Sequence, residues 1–311
     1  SLGFTPRMVA RLDEMMQGWA RRLVDSLAGG ERCDVVADLA EPLPLHVIAD
    51  IVGIPVEERA AVFADTKTML RAFDPAWGVP RDANDEAQHR LLVYAHTLGA
   101  LRRDAPADDV WSKLVHAQLT LDDGTTTELN EIELDLWFLI LSIAGSETTR
   151  NAIAAGLATL IEHPDQLERL RAEPALMASA VDEILRWSSP VVYHRRTVAA
   201  DTELCGVGLD ADLPVAVFWP LANRDERQFP DPMTFDIARR PNDHVAFGGG
   251  GPHYCLGANL AKREIAVMFT ELLARLDDLA LDGPVTWSVP GLVVPVGLGV
   301  ESMPLRYVVR A

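Results

Sequence analysis

Cysteine is scarce in this chain of 311 residues: Cys33, Cys205 and Cys255 stand too far apart for a disulfide framework, which points to a reducing, cytoplasmic setting. Cys33 and Cys205 read as ordinary buried or half-exposed thiols. Basic residues are also few, 28 Lys and Arg against 46 Asp and Glu, and the resulting net charge of -18 lacks the basic footprint of a nucleic-acid binder. No stretch approaches the roughly eighteen unbroken apolar residues of a membrane span, and the first residues show no charged-then-apolar signal pattern. Internal repeats and low-complexity segments are missing too. What is present is a composition 49% hydrophobic and 24% charged, sufficient to bury a large core.

Apolar residues at three- and four-residue spacing predict helices over 6–27, 43–52, 57–73, 84–101 and 108–119. Thr5 reads as the N-cap of the first, with Pro6 at its first helical position. Asp74-Pro75-Ala76-Trp77-Gly78-Val79-Pro80 breaks the pattern, and Asp122-Asp123-Gly124 is a turn. Asn130, with Glu131 and Glu133 in the first turn, opens the longest helical pattern, which runs to His163-Pro164. Further helices are expected over 165–172 and 174–187, then strand-like runs over 191–198, 202–205, 215–219, 293–296 and 305–309. Helices first and small sheets last predict a mainly α protein with minor β, folded as one domain over 1–311.

The most informative stretch is Phe247-Gly248-Gly249-Gly250-Gly251-Pro252-His253-Tyr254-Cys255-Leu256-Gly257. It sets one cysteine at the end of a glycine loop and the start of a helix expected near Leu256, whose unpaired N–H groups favour a thiolate. Such a thiolate suits a metal held from one side, and glycines let the backbone approach a flat ligand closely. Phosphate binding is the rival reading, but the loop lacks the Lys-Ser/Thr ending that grips a nucleotide. These residues resemble the haem-binding loop of the cytochrome P450 superfamily, in which a Cys thiolate is the proximal iron ligand. Phe247 stands eight positions before Cys255, one more than is usual in that family. The longer loop, followed by Gly257-Ala258-Asn259, resembles bacterial members that hydroxylate sterol side chains, methyl-branched lipids and terpenoid alcohols. The opening residues Ser1 to Arg7 resemble the segment after the family's third major helix. The chain is therefore expected to carry a P450 fold without its N-terminal quarter.

Inside the long helical pattern, Ala144-Gly145-Ser146-Glu147-Thr148-Thr149 combines a small residue with hydroxyl and acidic neighbours, which weakens a helix locally. Ala144 and Thr148 lie four apart and share a face, where a groove could open. The resemblance implies that Glu147 and Thr148 manage protons for dioxygen, and that Ala144 and Gly145 border the haem. Glu183 and Arg186, three apart on one helix face, resemble the family's Glu-x-x-Arg pair, with Arg239 as a third, structural member. As a plain sequence feature, apart from the resemblance, they read as a surface ion pair. Arg196 and His253 are candidate haem-carboxylate partners, with Phe247, Gly248, Gly257 and Ala261 as further haem contacts. Trp137, Leu141, Val191, Val192 and Val294 are the expected substrate-pocket residues. The 74–80 segment is either an interhelical loop or, by resemblance, a lid; Lys262 and Arg263 are either solvated helix residues or an electron-donor contact.

The resemblance implies a haem b monooxygenase that hydroxylates a C–H bond of a hydrophobic small molecule. Electrons would come from NAD(P)H through a reductase and a ferredoxin or flavodoxin. The alternative is a haem-binding fragment without competent turnover.

Overall fold

The computed structural model describes residues 6–72, 77–121, 123–288 and 299–310. The first predicted helix is two, α1 (Pro6–Arg11) and α2 (Asp13–Asp25), broken at Leu12. Thr5 lies outside the described residues. After β1 (Arg32–Asp34) a π-helical turn over Val36–Ala40 leads into α3 (Pro42–Val52). Helices α4 (Arg59–Arg71) and α5 (Arg81–Asp104) follow, the latter starting after Pro80 and running past its predicted bounds at both ends.

One expected helix is corrected. Over 108–119 only α6 (Val110–Val115) is helical, and the rest becomes the first arm of a hairpin, β2 (Gln118–Thr120) against β3 (Thr126–Glu128). Its threonines suit strands, and Asp123 fixes the turn by accepting from the Thr125 N–H and hydroxyl at 2.9 and 2.6 Å.

The longest element, α7 (Glu131–Glu162), starts on a capping box. The Glu133 N–H donates to Asn130 Oδ1 (3.0 Å) and the Asn130 N–H donates to Glu133 Oε2 (2.8 Å), so two otherwise orphaned donors are satisfied. From Thr149 to Leu160 every residue of α7 is buried, enclosed by α3, α9 and α11. A helix that is apolar all round belongs in a core, and this half forms its axis. The front half differs: Phe138 is fully buried against the rings of Tyr94 and Trp111, while Ile132, Leu136, Ile140 and Ala144 stay exposed.

Next come α8 (Pro164–Ala172) and α9 (Met177–Ser188), then the strand pair β4 (Tyr193–Thr197) and, later, β7 (Pro214–Phe218), with the β5 (Thr202–Leu204) and β6 (Val207–Leu209) hairpin between them. The β4–β7 register is antiparallel, with Arg196 opposite Val215. A short helix α10 (Trp219–Ala222) precedes the irregular run to α11 (Ala258–Arg275). Beyond it, β8 (Leu276–Leu281), absent from the sequence expectation, sits with β11 (Pro304–Val309) and β1 in an antiparallel sheet of order β1-β11-β8. β9 (Thr286–Trp287) pairs with β10 (Val300–Ser302). The run expected over 293–296, including Val294, lies outside the described residues, as do 73–76 of the loop before α5. Described Trp77 from that loop stacks under the Arg71 guanidinium at 4.0 Å.

Candidate functional site

The loop before α11 turns on glycines. Gly248, Gly250 and Gly251 take φ values of 95°, 98° and 78°, where a side chain is costly. The Cys255 N–H donates to the Phe247 carbonyl at 3.0 Å and closes the loop. Cys255 is exposed, flanked by Tyr254 (48% exposed) and Leu256 (37%). A Cβ on Gly249 or Gly257 would meet no atom of the described residues within 4 Å, and neither backbone has positive φ. Nothing among the described residues requires glycine at these two positions, and the space beside them is open.

Helix α11 begins at Ala258, with Gly257 as its N-cap, two positions past Leu256. Protein packed around Cys255 pushes its thiol up by desolvation, and the backbone bond involving Gly257 opposes this only in part. The other thiols are plain: half-buried Cys33 is pushed up to about 12 by burial and by Asp38 and Asp34, and Cys205 is exposed in the turn of the β5–β6 hairpin.

Behind the loop, Glu183 and Arg186 are completely buried. Arg186 grips Glu183 with two parallel bonds, Nε to Oε2 and Nη2 to Oε1, both 2.8 Å. Its remaining N–H groups donate to the carbonyls of Asn223 (2.9 Å), Pro232 (2.9 Å) and Thr234 (3.2 Å). Arg239 adds an ion pair to Glu183 at 3.2 Å and donates to the carbonyls of Pro230, Asp231 and Thr234. Asn242 donates to Glu183 Oε2 at 3.1 Å. A buried pair is tolerable only when its other lone pairs and protons are used, and here the partners they find are Asn223 and residues along 230–242, on the way to the glycine loop. The surface-pair reading is thereby excluded.

On α7, the Thr148 hydroxyl donates to the Ala144 carbonyl at 2.9 Å, with Ala144 exposed and Thr148 partly so. The helix is continuous there, so the open face comes from the small Ala144 rather than from a broken turn. Glu147 points elsewhere: its Oε1 accepts from Arg150 Nη2 (2.8 Å) and Asn151 Nδ2 (3.3 Å). Burial raises its carboxyl above the ordinary range, Arg150 opposes, and Glu301 adds to the rise. Gly145 serves packing: a Cβ there would lie 2.5 Å from Ile48 Cδ1, so glycine lets α3 and α7 touch.

The remaining expectations divide. Arg196 is exposed on β4 and, among the described residues, donates only to the Arg195 carbonyl (2.9 Å); the exposed His253 imidazole has no partner among them. Ala261 lies partly buried on the second turn of α11, its N–H donating to the Gly257 carbonyl at 2.9 Å. Val191 and Val192 are partly buried before β4. Leu141 is only 9% exposed and Trp137 packs on the core, so the open apolar face of α7 is carried by their neighbours Leu136 (50%) and Ile140 (53%). Counting back by fours from Thr148 through Ala144 would have found them. Lys262 and Arg263 are not free cations: Lys262 pairs with Asp182 (2.7 Å) and stands 5.6 Å from the Phe247 ring, and Arg263 pairs with Asp13.

Among the described residues no group of three or more His, Cys, Asp or Glu could hold a metal ion. A lone exposed cysteine sulfur with open space, among the described residues, at two glycines therefore fits a metal that arrives already ringed by a flat macrocycle, which needs one axial ligand from the protein.

Comparison with known proteins agrees. The family described as Cytochrome P450 matches residues 100–279. The methyl-branched lipid omega-hydroxylase of Mycobacterium tuberculosis is 42% identical over 90% of this chain and 65% of its own length. The steroid C26-monooxygenase of Rhodococcus jostii is 39% identical over 90% of this chain and 57% of its own. Among solved structures, the cytochrome P450 PksS of the Bacillus subtilis bacillaene polyketide synthase superposes with a TM-score of 0.89 at 34% identity, covering 98% of this chain and 76% of that one. The chain belongs to the cytochrome P450 family. It spans about two thirds or less of the length of the two curated relatives.

Proposed function

We propose that the protein is a haem-thiolate monooxygenase, one haem-binding domain that hydroxylates a C–H bond of a hydrophobic small molecule. The observation that carries this reading is the lone, solvent-presented Cys255 in a glycine cradle, with the segment before it clamped by Glu183, Arg186 and Arg239. Haem b, when bound, supplies the oxygen-activating chemistry. Cys255 holds it through Sγ, and Arg196 and His253, without acidic partners among the described residues, hold its carboxylates. Glu147 keeps a proton at its buried carboxyl, and Thr148 Oγ1 holds a second proton on the exposed face of α7. Leu136 and Ile140 exclude water and orient the substrate. The two named relatives support a lipid, sterol or terpenoid substrate. Electrons come from NAD(P)H through a reductase and a ferredoxin or flavodoxin, in the cytoplasm.

The reduced, haem-loaded protein with carbon monoxide is expected to show the red-shifted Soret band of a thiolate ligand. Cys255→Ser abolishes the band, whereas Cys33→Ser and Cys205→Ser keep it. A band that survives Cys255→Ser, or that the parent never shows, overturns the reading. Titration with methyl-branched fatty acids, sterols and terpenoids, followed by the low-spin to high-spin shift, then selects the substrate class.

A further inference from the structure

Arg150 holds two acids at once. Its Nη2 lies 2.8 Å from Glu147 Oε1 and 3.3 Å from Glu301 Oε1, and the three side chains are 9%, 13% and 12% exposed in the order Arg150, Glu147, Glu301. Glu301 comes from β10, more than 150 positions along the chain from Arg150. The arrangement is held from both sides. Arg150 Nε donates to Asn151 Oδ1 (3.1 Å), and a Cβ on Gly299 would sit 2.8 Å from that same oxygen, so glycine lets the segment entering β10 close on α7. Next to Glu301, the Ser302 hydroxyl donates to Asp34 Oδ2 at 2.5 Å, tying β10 to the chain just before the π-helical turn.

We propose that Glu301 is a positioning residue for Glu147: by sharing the single guanidinium of Arg150, it makes the cluster a proton store in which Glu147 keeps its proton. The physical reason is charge. Two buried carboxylates on one cation leave a net negative charge in a region of low dielectric, and taking up one proton removes it. Besides Arg150 and Glu301, the charged group acting on Glu147 is Glu41 at the start of α3, itself held by Lys67 of α4. Burial is the first cause of the raised Glu147 carboxyl, and Glu301 adds to it, which agrees with the geometry. The site deepens the monooxygenase reading and rests on it only for the use made of the proton.

The test is an infrared pH titration of the haem-loaded protein, following the protonated-carboxyl stretch that Glu147→Gln removes. Glu301→Gln keeps the shape, deletes one negative charge and leaves Arg150 wholly to Glu147, so the midpoint for Glu147 shifts down. Glu301→Asp, which keeps the charge, restores most of the parent midpoint. Glu301→Met serves in place of Gln if that variant misfolds. With substrate and electron donors, Glu301→Gln also forms more hydrogen peroxide per NAD(P)H near neutral pH than the parent. An unchanged midpoint in a folded Glu301→Gln protein overturns the proposal, whatever the catalytic outcome. A missing thiolate band in the parent overturns the monooxygenase reading while leaving the midpoint shift interpretable.

Discussion

At the scale of single residues, chemistry is divided between side chains that face out and side chains that face in. Thr148 and Glu147 are neighbours in sequence, yet the hydroxyl lies on the partly open face and the carboxyl turns to Arg150. Adjacent helical positions diverge by about 100°, so a shared proton task needs water or a side-chain swing between them. Thr148→Val keeps the shape and removes the hydroxyl. If Thr148 holds a proton for turnover, the variant binds substrate and consumes NAD(P)H like the parent but releases more hydrogen peroxide and less hydroxylated product. An unchanged ratio of peroxide to product would leave the hydroxyl only its bond to the Ala144 carbonyl. The glycine loop that presents Cys255 was legible in the sequence, because four consecutive glycines before a helix mark a tight turn. The sharing of Arg150 was not, since Glu301 reaches it from the far end of the chain.

At the scale of elements, α7 plays two parts along its length. Its rear half is core, while its front half carries an exposed apolar line at four-residue spacing, Ile132, Leu136, Ile140 and Ala144. The capping box and the length of α7 were readable from residues close in sequence, and so was the charge pattern of α9. The β2–β3 hairpin was missed because helical spacing in 108–119 runs directly into the strand-forming Thr120 and Thr125 to Thr127, and strand pairing decided where the helix stops. Gly145 shows an element contact at a position the motif had marked for the haem. Adding a methyl there gains about 1 kcal/mol of helix propensity but drives Cβ into Ile48. In a double-mutant cycle, Gly145→Ala is expected to be less favourable in the parent than in Ile48→Ala by about 1–3 kcal/mol. Equal effects in both backgrounds, read from denaturant midpoints, would return Gly145 to a role outside the α3–α7 contact.

At the scale of the whole molecule, an excess of acid is managed by burial and pairing. Asp182 illustrates pairing: burial works against its charge, but His244 and Lys262 hold its carboxyl below the usual range, leaving Lys262 an internal strut beside Phe247. Glu264, on α11, illustrates burial with one oxygen left unpaired among the described residues. It is 1% exposed and its Oε2 has no hydrogen-bond partner among the described residues, so desolvation raises it well above its usual 4.5. The folded chain then binds this proton more tightly than the unfolded chain. The group's contribution to stability is whole below the ordinary carboxylate range and is lost as pH rises toward the raised folded value. Glu264→Gln, which cannot ionise, is expected to be more stable than the parent at neutral pH, with the gap closing on acidification. Urea midpoints across pH measure this, and a gap independent of pH would mean that Glu264 is charged and partnered in the fold.

The sequence by itself determined the mainly helical class, the long helix with its cap, the glycine loop that presents Cys255, and the Glu-x-x-Arg pair. Each of these rests on residues a few positions apart, where spacing translates directly into a shared helix face or a turn. Tertiary structure alone decided that Glu183 and Arg186 are buried rather than solvated, because their carbonyl partners lie 37 to 48 positions away. It also decided that Lys262 and Arg263 are paired, that Leu136 and Ile140 rather than Trp137 and Leu141 face outward, and that β10 delivers Glu301 to Arg150. The reason is common to all four: burial and charge depend on what the rest of the chain places beside a residue, and helical spacing fixes which residues share a face without fixing which face meets the core.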